Sequence, residues 1–134
     1  MALTTTTLAS PVGTTIYIDA DANSTLEVAS TSAKTGYQLY INNLDNDAPC
    51  WVKLVDAQSA TPGTTEADFQ FYAPAAATIS YIVPTGLAFG TGVCVWVTAA
   101  GTTVSNNVSS TTTGKAKTDT TSPENAVEIR LHTS

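Results

Sequence analysis

Residues 83–99 read VPTGLAFGTGVCVWVTA, and this stretch decides the fold class. Pro84, Gly86, Gly90 and Gly92 punctuate its first half. Val93-Cys94-Val95-Trp96-Val97 then forms an unbroken apolar, mostly β-branched run. Such a run, bounded by Gly and Pro, reads as a strand with both faces covered. Working outward, shorter and half-polar stretches alternate with period two. Ile16 and Ile18 face one way, against Thr15, Tyr17 and Asp19. Tyr37, Leu39 and Ile41 oppose Gln38, Tyr40 and Asn42. Val52 and Leu54 are assigned inward, with Trp51, Lys53 and Val55 on the other face. Phe69 and Phe71 share a face, and residues 78–83 continue as strand. Val127, Ile129 and Leu131 alternate with Glu128, Arg130 and His132. No helical periodicity is sustained for the usual helix length. About eight short strands with Gly/Pro-rich turns predict an all-β chain: a single-domain antiparallel β-sandwich, with a jelly roll as one topology it allows.

Composition agrees with that class. The chain has 134 residues, which suits one domain, and 43% of them are hydrophobic but only 12% charged. Polarity comes from hydroxyls and amides instead: 25 residues are Thr. Thr favours strands because its branched Cβ restricts χ1. Residues 1–13 are uncharged and Thr-rich, with Pro11 and Gly13 near their end. They are read either as a frayed terminus or as an extended N-terminal arm preceding a domain at 14–134, since such a segment readily adds to a sheet edge. A Thr/Ser-rich loop is expected at about 102–122. The N-terminus has no basic region and no long apolar run, so it is not a secretory signal, and no stretch is long enough for a transmembrane helix. No membrane association is expected, and synthesis and folding are assigned to a cytosol. The two cysteines, Cys50 and Cys94, fall on opposite strand faces by parity, which favours free thiols over a bridge.

The residues offer little chemistry. Net charge is −6, so a basic groove for nucleic acid is not expected. A hydrolytic triad needs a base beside its nucleophile, and the single histidine, His132, sits on an outward face near the C-terminus. Zinc needs three or four clustered His and Cys ligands; three such residues exist in all, widely spread. Asp45-x-Asp47 fails as a calcium loop, because Cys50 and Asp56 occupy the positions that need Gly and Glu. Gly90-x-Gly92 lacks the third glycine and the helix of a dinucleotide site. The chain is therefore read as non-enzymatic, without metal or cofactor. What remains is surface. Tyr17, Tyr40, Trp51 and Trp96 fall on faces opposite the inferred core, where they serve either a second layer of core or a subunit contact, since aromatics anchor interfaces. Thr4, Thr5, Thr6, Thr7 and Leu8 of the arm, and Lys115 and Lys117 of the long loop, complete the candidate contact residues.

One pattern goes further. Val52-Lys53-Leu54-Val55-Asp56, then Thr61-Pro62-Gly63-Thr64, then Phe69-Gln70-Phe71, and finally Pro84-x-Gly86-Leu87-Ala88-Phe89-Gly90-Thr91-Gly92 follow one another in order. This order resembles that of small virion structural proteins of tailed bacteriophages, over roughly the middle third to half of the chain. The resemblance carries no catalytic residues. Capsid decoration (cement) proteins fit best by size and β content. The resemblance then implies binding to the major capsid protein on the exterior of the shell, as a homotrimer, with capsomer junctions reinforced. A neck, tail or fibre-associated adaptor of the same kind of particle is the alternative. A carbohydrate-binding β-sandwich, stacking sugars on Trp51 or Trp96, is the alternative from another class.

Overall fold

The structure, a computed structural model, describes residues 15–99 and 121–134. Eight strands follow in chain order: β1 (Thr15–Ala22), β2 (Glu27–Ser30), β3 (Lys34–Asn42), β4 (Cys50–Val55), β5 (Phe69–Ala73), β6 (Thr78–Phe89), β7 (Val93–Ala99) and β8 (Val127–Thr133). They form two four-stranded antiparallel sheets, ordered β1-β8-β3-β6 and β2-β7-β4-β5. The first strand pairs with the last, the second with the seventh, the third with the sixth and the fourth with the fifth. That is an antiparallel ribbon wound across two sheets, the jelly-roll arrangement. The β-sandwich expected from the sequence is thus present, in the topology that its strand count allowed.

The core lies between the sheets. Leu39 and Ile41 of β3 and Val127, Ile129 and Leu131 of β8 meet Val52 and Leu54 of β4 and Val93, Val95 and Val97 of β7. Each fully buried aliphatic of this kind contributes about 1.5–3 kcal/mol. β7 is buried along its whole length, as its unbroken apolar run requires. It lies between β2 and β4, so its edges are also satisfied.

Two expectations are corrected. Pro84 and Gly86 do not end a strand; both lie within the twelve-residue β6. β6 is an edge strand, where Pro is tolerated because one side of the strand needs no ladder donor. Gly86 takes φ +80°, and a Cβ there would sit 2.2 Å from Thr35 Cγ2. The β3–β6 register shifts beside it, between Gly36 and Gln38. The second correction is to the facing of β1. Tyr17 pairs with Leu131 and Asp19 with Ile129, whereas Ile16 and Ile18 pair with His132 and Arg130. Directly paired residues share a face, so Tyr17 turns inward and packs on the core, while the two isoleucines turn outward. The alternation was right and its polarity inverted, because the register against β8 decides which set faces in.

Candidate interaction surface

The outer faces of the two sheets differ. On the β2-β7-β4-β5 sheet the outward set is covered around Trp96, while Val28 and Tyr72 on the same face stay exposed. Trp96 is 1% exposed and packs with Val55, Cys94 and Ala67; Leu26, Ala57 and Ala60 lie against the same cluster. The segment after β4 therefore lies over this face. Two aspartates hold it there: the Asp56 N–H donates to Asp68 Oδ2 at 2.7 Å, and the Asp68 N–H to Leu54 O at 2.9 Å. Trp96 thus belongs to a second core cluster and not to a surface, although its strand parity was read correctly. Trp51 does face out beside Thr98 and Tyr72. It is half-buried, with its ring 5.0 Å from that of Tyr72. Lys53, beside it on the same face, is fully buried.

The β1-β8-β3-β6 sheet has a barer outer face. Its cross-strand rows follow from the register: Ile16, His132, Gln38 and Ile82 form one, and Ile18, Arg130, Tyr40 and Ser80 the next. Ile16 is 52% exposed, Ile18 62% and Ile82 66%. Between them the Arg130 guanidinium lies 5.4 Å from the centre of the Tyr40 ring and pairs with Glu128 at 2.5 Å. The result is an apolar rim on both edges of the sheet, with a compensated charge and an aromatic ring between. Tyr40 is placed as expected; the isoleucines were missed, since the sequence pattern assigned Ile16 and Ile18 to the buried set. Nothing in β1 alone distinguishes the two assignments. Arg130 and His132, which flank them in β8, are the only signal, and only once the register is known.

The remaining polar groups serve the loops. The Asp56 carboxylate accepts the backbone N–H groups of Gly90 (2.8 Å), Thr91 (2.7 Å) and Gly92 (3.3 Å). These bonds hold its pKa below the ordinary carboxylate value. Asp56 therefore fastens the β6–β7 turn to the end of β4, a role legible only in hindsight from the small residues Gly90-Thr91-Gly92. The loop after β3 is fixed by amides. Asn43 Nδ2 donates to Ala48 O (2.9 Å) and Pro74 O (3.0 Å). The Asn125 N–H donates to Asn46 Oδ1 at 2.7 Å and Asn125 Nδ2 to Asp45 O at 2.7 Å. Both cysteines are free and buried. Cys50 lies in the main core and Cys94 in the second cluster, as parity anticipated. Burial pushes the Cys50 thiol up to about 12 and raises that of Cys94.

Thr4, Thr5, Thr6, Thr7, Leu8, Lys115 and Lys117 lie outside the described residues, as do the arm and most of the long loop. Within the loop's last residues, the Ala99 N–H donates to Thr121 O at 2.8 Å and the Ser24 N–H to Ser122 Oγ at 3.3 Å. Among the described residues no group of three or more His, Cys, Asp or Glu is placed to hold a metal, and no helix is long and apolar enough to cross a membrane. No protein-family model, curated protein or solved structure matches the chain.

Proposed function

We propose that this chain is a non-enzymatic structural protein of a tailed-bacteriophage virion, and within that class a decoration protein bound to the exterior of the shell. One observation carries the reading: the outer face of the β1-β8-β3-β6 sheet is edged by three isoleucines, each more than half exposed. Burying what remains exposed of such a side chain is worth roughly 1–2 kcal/mol, so the three together favour a lasting protein contact. The likeness of the region from Val52 to Gly92 to small virion proteins supplies the kind of particle. A jelly roll is also at home in viral capsid and lectin domains, which is compatible with the reading without selecting it. In this account the bare sheet rests on the major capsid protein, the chain acts as a homotrimer, and stabilisation comes from many copies bridging capsomer junctions.

The carbohydrate-binding alternative is less well supported. Its stacking platforms would be Trp51 and Trp96, of which one is half-covered by Tyr72 and the other enclosed. Copy number separates decoration from the neck or tail adaptor. Quantitative mass spectrometry of purified particles is expected to give hundreds of copies each. A small multiple of six or twelve would overturn decoration in favour of the adaptor, and absence from the particle would overturn both.

A further inference from the structure

The two open sides of the sandwich are closed to different degrees. On the β5/β6 side large side chains fill the space between the sheets. The Phe71 and Tyr81 rings stand 5.0 Å apart, Phe69 meets Phe89 edge-on at 5.6 Å, and the Tyr81 hydroxyl donates to Tyr72 O. On the β1/β2 side the inward positions carry shorter or charged residues. Asp19 pairs directly with Ile129 and Glu27 with Val95. Both partners belong to the core, so the register turns the two carboxylates to the inner faces of their sheets. Ala29 of β2 adds only a methyl group. The gap stays unfilled as a cavity of about 330 Å³, floored by Leu54, Val95 and Leu131, with Tyr17, Asp19 and Glu27 among its lining.

A carboxylate on the inside of a sandwich breaks the apolar pattern of its strand, and breaks of this kind gather at functional sites. Here two strands break it, one in each sheet, at the same cleft. Among the described residues no Lys, Arg or His lines the cavity, so its charge is of one sign above an apolar floor. Asp19 Oδ1 accepts the Asp21 N–H at 2.9 Å, which fixes that carboxylate. We propose that this cleft binds a small organic cation, namely a primary ammonium on an aromatic or short aliphatic stem. The stem takes the floor, where it leaves water, and packs beside the Tyr17 ring. The ammonium stays at the mouth and donates to Asp19 and Glu27; charge-assisted bonds of this kind are roughly twice as strong as neutral ones. The volume sits at the lower end of ligand pockets, about 300–1,000 Å³, which limits the stem to one ring or a short chain. An anion is repelled by both acids, and a neutral molecule gains the floor alone. The cleft lies between the sheets and shares only Ile18 with the isoleucine-edged outer face, so its test needs no particle.

Methyl NMR of the isolated full chain reads the proposal directly, with phenethylamine as the probe. At neutral pH it is expected to shift the methyl signals of Leu54, Val95 and Leu131 saturably, with a midpoint of about 1 mM or below. Ile79, on the closed side, is expected to stay unmoved. Phenethyl alcohol and phenylacetate, of similar size, are expected to bind at least tenfold more weakly. Asp19→Asn/Glu27→Gln keeps the size of both side chains and the acceptor for the Asp21 N–H. It is expected to weaken phenethylamine at least tenfold and to leave the alcohol little changed, with an unchanged Ile79 signal showing that the variant is folded. Absence of saturable shifts at tens of millimolar amine would overturn the proposal. Equal midpoints for the three probes, or for the parent and the double variant, would overturn it too, by reducing the shifts to general apolar contact.

Discussion

At the scale of single residues, Asp56 has the most exacting position. One carboxylate accepts three successive N–H groups of the β6–β7 turn, and those bonds hold its pKa down. A group whose pKa is lower folded than unfolded stabilises the fold fully above its unfolded value, about 3.9 for Asp. It loses that contribution as pH falls through the folded value. Asp56→Asn, which resembles the protonated acid, is therefore expected to lower Tm at pH 7. The gap from the parent should close as the pH is taken below about 4, and a gap constant from pH 7 to 2 would show that the charge contributes nothing. Trp96 makes the second residue-scale case. It fills the space between β7 and the segment after β4. Trp96→Ser is expected to destabilise by about 3–5 kcal/mol in urea unfolding, the range for deleting a large buried aromatic. A folded, equally stable variant with altered self-association would instead return Trp96 to an interface.

At the scale of elements, alternation identified β3, β4, β7 and β8 and placed their inward sets correctly, except at Tyr37, where the β3 register shifts between Gly36 and Gln38 and the ring falls outside both core clusters. In each, several aliphatics share one face and polar or aromatic residues the other. β1 shows where such reading stops. Its two isoleucines form the more apolar set, yet they face out, because Tyr17 and Asp19 are paired with Leu131 and Ile129 across a hundred residues of chain. Register between distant strands is not written in either strand alone. β6 shows a second limit. Pro84 and Gly86 are breakers by local chemistry, but an edge position and a register shift accommodate them. That accommodation is specific to glycine at position 86. Gly86→Ala combines a left-handed backbone with a Cβ pressed on Thr35 and Tyr37, and is expected to destabilise by about 1–3 kcal/mol. Thermal unfolding of the variant checks this; an unchanged Tm would show that β6 relaxes freely there. Trp96 illustrates the same boundary for the candidate site. Its face was legible, but the cover that the segment after β4 lays over it was not, since that depends on Asp56 and Asp68 closing the segment's two ends.

At the scale of the molecule, the wound pairing of first strand with last makes nearly all the organising contacts non-local. The number of strands could be read from turn residues; their order across two sheets could not. The same winding gives the two outer faces their different fates. One receives the segment that follows β4. The other keeps Ile16, Ile18 and Ile82 in solvent at its two edges, with the Arg130–Glu128 pair and Tyr40 between them. Exposed apolar groups arranged on the outer face of a sheet are the form expected of a docking face, and they make the structural reading testable without any assumption about catalysis. The most direct measurement is the occupancy of an Ile18→Lys/Ile82→Lys double variant on purified particles, alongside its Tm. Both substitutions are on the surface, so stability should change by no more than about 1 kcal/mol, while occupancy should fall at least tenfold. Full occupancy with an unchanged Tm would contradict the assignment of this face as the surface that meets the shell.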